Sequence, residues 1–249
     1  MDEAGLLEVL HAAAGAVAGV LAALEDWGPA GTRVGQYRSD LAADAAAVAV
    51  LEDAGLGVLS EESGTHHGER PLLAVLDPVD GSTNASRRIP WYATSICVLD
   101  GDGPLAAVVV NQATGVRYEA VRGGGARRDG MPIGASGCSA LGTALVALNG
   151  LPPRHLGWRQ FRALGAAALE LCAVADGTID AYVDCVADSH GPWDYLGGAL
   201  VCAEAGAVVA DAGGRPLAAR GHADRRTPVA AATPELLAEV LATGPVAGV

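Results

Sequence analysis

The sequence predicts a layered, mixed α/β fold. Three observations predict it. Helix-like and strand-like segments alternate irregularly along the chain, strand-like segments cluster with no helix between residues 93 and 133, and helix-like segments lie near both ends. A doubly wound sheet needs a helix between successive strands, and the central cluster has none.

The elements follow in order. Residues 3 to 26 place Leu, Val and Ala at helical spacing and stop at "WGPAG". A second helix begins near Ser39 and runs to Ala54, where "DAGLG" ends it. "GVLSEESG" reads as a short strand, Val58 to Ser60, that delivers Glu61 and Glu62 at its end. "RPLLAVLD" is an apolar run of strand length, and Pro78 after it sets a turn. "TSICVLD", "PLAAVVVNQ", "VRYEAV" and "GARRDGMPI" are strand pieces separated by "GDG", "ATG" and "GGG", the pattern of an antiparallel meander. "TALVALNG" is a further strand, residues 159 to 176 are helical up to Gly177, and "IDAYVDC" is a strand. Trp193 to Ala205 reads as a helix with Gly206 past its end, "AVVAD" as a strand, and Pro234 to Thr243 as the last helix. "RGHADRRTP", 220 to 228, is the loop of the C-terminal half, and "GASGCSALG", 134 to 142, marks a lobe boundary.

Composition excludes several functions. The chain has 249 residues, 51% of them hydrophobic, enough for one large domain or two modest lobes. Its net charge of −13 argues against nucleic acid, which demands a basic footprint. There is no lysine, so Schiff-base chemistry and a P-loop lysine are excluded. The five cysteines form no CxxC pair, which fits free thiols in a reducing, cytoplasmic compartment. "MDEAGLLEVL" is not a signal-peptide start, and no apolar run looks long and glycine-poor enough to span a bilayer.

Chemistry concentrates in "LDPVDGSTNA", residues 76 to 85. Asp77 and Asp80 stand three residues apart, and two like charges that close call for a cation between them. Ser82, Thr83 and Asn84 are good helix N-cap residues, and a helix start offers free amides to a phosphate. Hard oxygen ligands beside an anion cradle suit Mg²⁺ rather than Zn²⁺. Alone, the stretch reads more simply as an ordinary Asp-Pro turn and a capped helix. Glu61 and Glu62 at a strand end, Asp194 at a helix start and Asp40 in "YRSDLAAD" weigh against that.

"EESG", "LDPVDGSTN" and "WDYLGGALVCAEAG", in this order, resemble the inositol monophosphatase superfamily of Mg²⁺-dependent, lithium-sensitive phosphatases. "GVLSEESG" and "DGSTNASRRIPWYATSI" are most similar to its archaeal-type members, some of which also cleave fructose 1,6-bisphosphate. The resemblance implies a layered α-β-α-β-α sandwich, a single phosphatase domain over 1–249 and lobes of about 1–135 and 136–249. It implies that Glu61, Asp77, the Val79 carbonyl, Asp80 and Asp194 ligate about two or three Mg²⁺ ions, with Asp77 bridging two of them. Glu61 and Ser82 would orient the attacking water, and Asp40 would tune Glu61 or a weakly held metal. The Gly81 and Ser82 amides would hold the phosphate. Gly165 and Ala167 would line the sugar, and Asp184 would contact a substrate hydroxyl. The implied substrate is a small phosphorylated polyol or sugar, foremost myo-inositol 1-phosphate, and the implied assembly is a homodimer. Fructose 1,6-bisphosphate, histidinol phosphate, 3′-phosphoadenosine 5′-phosphate and a catalytically silent, phosphate-binding relative are the alternatives.

The chain departs from the family pattern in places. Asp40 lacks the usual upstream threonine, Ser82 stands where Thr is commoner, and Ala85 and Ser86 replace an aromatic residue and a histidine. Extra residues precede Trp193, which leaves Asp188 as an alternative to Asp184. His190 is the basic residue the loop before Trp193 offers to a second phosphate, with Arg87 and Arg88 further candidates. His66 and His67 read as exposed loop, and Glu62 and Glu204 as braces.

Overall fold

The computed structural model describes residues 1–33 and 35–245. Helix α1 (Glu3–Ala23) is capped by the Asp2 carboxylate, which accepts the Gly5 N–H at 3.0 Å. It buries the stripe Leu6, Leu10, Ala13, Ala14, Val17 and Leu21. By length and composition α1 does suffice to cross a bilayer, against the expectation from its glycines and alanines. Here that stripe packs instead on α2 (Arg38–Asp53) and on the first sheet.

The first sheet has the strand order β2-β1-β3-β4-β5-β6-β7-β8. Its members are β1 (Gly57–Ser60), β2 (Gly64–His66), β3 (Leu73–Asp80), β4 (Ala93–Asp100), β5 (Gly103–Asn111), β6 (Arg117–Val121), β7 (Gly125–Arg128) and β8 (Met131–Pro132). The one-turn helix α3 (Ser82–Ser86) lies between β3 and β4. From β3 onward the sheet is the expected antiparallel meander; β1 pairs parallel to β3. The short β2 was hidden in a polar stretch, "GTH", with no apolar signal.

The second sheet runs β10-β9-β11-β13-β12. It holds β9 (Leu145–Asn149), β10 (Gln160–Arg162), β11 (Ala181–Asp184), β12 (Val208–Asp211) and β13 (Pro228–Ala231). Helix α4 (Ala167–Ala175) and helix α5 (Pro192–Glu204) pack between the two sheets, and α6 (Pro234–Ala242) covers the outer face of the second. The layers are therefore α-β-α-β-α, as expected.

Two local expectations are corrected. Residues 159–176 are not one helix: Gly165 sits at φ 83° and breaks the run, so 160–162 pair beside β9 and only Ala167–Ala175 coil. The loop 220–228 gives way to β13 already at Pro228, a four-residue apolar run too short to signal a strand.

Candidate active site

Pro78 does not end β3 in a turn. The strand continues to Asp80 through a register shift: Asp77 faces Ser95 of β4, and Asp80 faces Ala93. One extra residue on β3 is a bulge, and proline suits it because it has no N–H for the ladder. In a regular strand, residues three apart point to opposite faces. The bulge cancels that alternation and turns Asp77 and Asp80 to one side. The Thr94 hydroxyl donates to the Pro78 carbonyl at 2.9 Å, and the Val79 N–H donates to Asp77 Oδ1 at 2.9 Å, which holds the distortion.

The other carboxylates arrive on element ends. Glu61 follows β1, its N–H donating to the Leu76 carbonyl at 3.1 Å. Asp194 lies in the first turn of α5 and accepts the Gly191 N–H at 2.7 Å. Pro192 starts that helix, where a missing N–H costs nothing. Asp40 lies in the first turn of α2 and accepts the Tyr37 N–H at 2.8 Å.

Glu61, Asp77 and Asp194 each offer a carboxylate oxygen, and these oxygens lie within 4.8 Å of one another. Asp80 is beside them, but one of its oxygens accepts the Ala168 N–H at 2.7 Å, at the start of α4. Burial raises the pKa of all four, and neighbouring carboxylates raise that of Glu61, Asp77 and Asp80 further. Glu61 is pushed up to about 9 by burial, then by Asp194 and Glu62; Asp77 by burial and Glu61; Asp80 by burial and Asp194; Asp194 chiefly by burial. Asp40 is raised to about 6 by burial.

The donor set fits a hard divalent cation: clustered carboxylate oxygens, no thiol, and excess negative charge. Ser95, directly across from Asp77, has a buried hydroxyl without a hydrogen-bond partner among the described residues. No sequence signal singled it out.

Gly81 caps α3, rather than Ser82, Thr83 or Asn84, and sits at φ 88°. A Cβ there would stand 3.1 Å from Ala166 Cβ, the Gly165 carbonyl and the Trp91 carbonyl. The Ser82 hydroxyl donates to the Val79 carbonyl at 2.9 Å, and the Asp40 carboxylate is an alternative acceptor for the same proton. Asn84 ties the two sheets: its Nδ2 donates to the Trp91 carbonyl at 2.8 Å and to the Leu164 carbonyl at 2.7 Å. Glu170, almost fully buried on α4, accepts the Leu164 N–H at 3.0 Å from the other side. Gly165 and Ala167 are thereby held next to Gly81 and Asp80. Gly81→Ala should cost about 1–3 kcal/mol in stability through the left-handed backbone. It should also lower turnover by displacing the 164–167 segment, which thermal melts and phosphate-release assays would read.

Asp184 is corrected. It has no exposed surface, and its oxygens already accept from Asn149 Nδ2 (2.9 Å), Val186 N (3.0 Å), Ser189 Oγ (2.7 Å) and His190 Nδ1 (2.8 Å). A substrate hydroxyl has no approach to it. His190 is likewise buried, its Nε2 3.1 Å from the Tyr182 hydroxyl, so it is not offered to a second phosphate. Burial opposes its protonation, but the Asp184 hydrogen bond and the charges of Asp194, Asp184 and Asp80 outweigh that and raise its pKa. Asp188 is exposed and pairs with Arg215 at 2.6 Å. Arg87 and Arg88 are exposed, with no ion pair among the described residues, and His66 and His67 pair with Glu52 away from the cluster. Glu62 binds Arg33 at 2.7 Å, and Glu204 accepts the Gly123 and Gly125 amides, both as braces.

A five-layer α/β sandwich with carboxylates gathered at strand ends and helix starts defines a phosphatase-type fold with a candidate metal centre. The inositol monophosphatase family model matches residues 38–244, and the chain belongs to that family of phosphoric monoester hydrolases. A fructose-1,6-bisphosphatase/inositol-1-monophosphatase of Methanothermobacter thermautotrophicus is 36% identical over 216 residues, 78% of this chain and 77% of that protein. The protein of the same description from Archaeoglobus fulgidus is 32% identical over 227 residues, covering 87% and 88%. The inositol monophosphatase from Anabaena superposes with a TM-score of 0.81 at 25% identity, over 96% of this chain and 94% of that one.

Proposed function

We propose that this chain is a Mg²⁺-dependent, lithium-sensitive phosphomonoesterase acting on a small polyol or sugar phosphate, with myo-inositol 1-phosphate as its first substrate. The observation that carries the reading is the convergence of Glu61, Asp77 and Asp194 within 4.8 Å. Glu61, Asp77, Asp80, Asp194 and the Val79 carbonyl would hold the ions, with Asp80 using the oxygen that Ala168 leaves free. Bound Mg²⁺ would neutralise the phosphate oxygens and acidify a water.

The chain's own residues supply the rest. The Gly81 and Ser82 amides have no intrahelical partner and would bind phosphate oxygens. Glu61 and the Ser82 hydroxyl would orient the attacking water, with Asp40 as acceptor for the Ser82 proton. The 164–167 segment, held by Asn84 and Glu170, would wall the leaving group. Asp184 would act at one remove, by fixing His190. The same reading divides the chain near residues 134–142 into two lobes, one per sheet, with the site between them, and keeps a homodimer in a cytoplasmic, reducing compartment. All five cysteines are free.

The names of the archaeal relatives favour fructose 1,6-bisphosphate as a second reading. Phosphate release with Mg²⁺ from inositol 1-phosphate, fructose 1,6-bisphosphate, histidinol phosphate and 3′-phosphoadenosine 5′-phosphate separates the two. The expected result is the highest kcat/KM on inositol 1-phosphate and inhibition by Li⁺. A clear preference for another ester would replace the substrate and keep the chemistry.

A further inference from the structure

The segment between β12 and β13, read from sequence as a plain loop, reaches the candidate metal centre at two points. His222 Nε2 lies 3.1 Å from the backbone carbonyl of Glu61. A carbonyl only accepts, so Nε2 is the protonated ring nitrogen and donates. The His222 ring also packs on the Trp193 ring, centroids 4.9 Å apart, and Trp193 is the residue before Asp194. Arg225 stacks on the same indole, its guanidinium carbon 5.1 Å from the ring centroid.

The loop is built to hold this pose. Arg225 Nη1 donates to the His222 carbonyl at 2.8 Å and to the Asp224 carbonyl at 2.7 Å. The Asp224 carboxylate accepts the Gly221 N–H at 2.9 Å. At the base, Arg226 and His190 exchange both backbone hydrogen bonds, at 2.9 and 3.2 Å, and so anchor the loop to the segment leading into α5.

Glu61 and Asp194 come from different elements, β1 and α5, and one loop touches the backbone of the first and the neighbour of the second. The Glu61 N–H is fixed by Leu76 of β3, and its carbonyl by His222. Both peptide planes that aim the Glu61 side chain are thereby held. We infer that His222, backed by Arg225 on Trp193, is a positioning residue that sets the spacing of Glu61 and Asp194 and hence the affinity of the site for a divalent cation. This rests on the reading of the carboxylate cluster as a metal centre. Partners that orient metal ligands from outside typically contribute about 10–100-fold in metal affinity or activity. His222 is exposed, so its removal leaves no core cavity and little stability is at stake.

The test is Mn²⁺ titration of the chelator-stripped full chain, followed by calorimetry or by the electron paramagnetic resonance of free Mn²⁺. His222→Ala should raise the Kd about 10-fold or more, and His222→Gln, which keeps an N–H donor, should recover most of that loss. Arg225→Lys, which keeps the positive charge that acts on Asp194 but loses the flat guanidinium stack on Trp193, should raise the Kd several-fold, and gives the same readout should the alanine variant fold poorly. A Kd within about twofold of the wild type in His222→Ala, or a loss that glutamine does not recover, overturns the inference. Failure of the wild-type chain to bind Mn²⁺ overturns the metal centre itself, and the inference with it.

Discussion

Asp77→Asn is expected to abolish Mg²⁺-dependent phosphate release, a loss of about three orders of magnitude or more, and to stabilise the metal-free protein. Both effects have one cause. Asp77 is the buried carboxylate at the centre of the cluster, with Glu61 as the largest charge acting on it. Asparagine has nearly its shape, and its Oδ1 can still accept the Val79 N–H that now reaches Asp77 at 2.9 Å. The bulge therefore survives. What is lost is one negative charge, which a cation needs and which an empty cluster must suppress. Turnover and the melting temperature of chelator-treated protein should move in opposite directions. An inactive variant that also melts lower would point to a structural rather than an electrostatic role. The opposition is the usual one between a strained, charged site and a stable fold.

Metal-free protein should lose stability as pH rises, and Mg²⁺ should restore it. The folded-state pKa of Asp40 is raised from 3.8 to about 6, and that of Glu61 from 4.5 to about 9, in both cases chiefly by burial. The folded chain thus binds more protons than the unfolded chain between these values, so stability falls with increasing pH. The loss begins near the unfolded carboxylate range and continues through about pH 6 for Asp40 and toward pH 9 for Glu61. Asp77, Asp80 and Asp194 shift in the same direction and add to it. Mg²⁺ binds deprotonated carboxylates, so its stabilisation grows with pH. At a free concentration about 100 times its Kd, Mg²⁺ contributes roughly 2.7 kcal/mol, or about 5–10 °C in melting temperature for a chain of this size. Melts at about pH 5 and pH 8, with and without Mg²⁺, check this. A metal-free melting temperature that rises with pH would contradict the carboxylate account.

Much of the candidate site was legible in the sequence because its chemistry is local. Glu61, Asp80 and Asp194 sit in short motifs at strand ends and a helix start, as the fold has them, whereas Asp77 lies inside β3 at its bulge. What was not legible depends on partners far away in the chain. Asp80 spends an oxygen on Ala168, 88 residues on, and Asn84 reaches Leu164, 80 residues on. The β3 bulge was read as a turn, because a proline between two aspartates signals a break without saying whether the strand resumes. Asp184 was given a substrate-hydroxyl contact by the resemblance, yet β11 is buried on both faces, so alternation could not tell its direction. The helix expected over 159–176 merged a strand and a helix across Gly165, since the exposed three-residue edge strand Gln160–Arg162 is too short to show a strand pattern. The 220–228 loop showed only polarity in sequence; its contact with Glu61 spans 161 residues.

The most direct measurement is phosphate release from myo-inositol 1-phosphate by chelator-treated protein, before and after Mg²⁺ is returned, beside Asp80→Asn. The account predicts no release without metal, release on addition of Mg²⁺, and none from the variant under either condition. Release that persists without a divalent cation, or that Asp80→Asn retains in full, would contradict it.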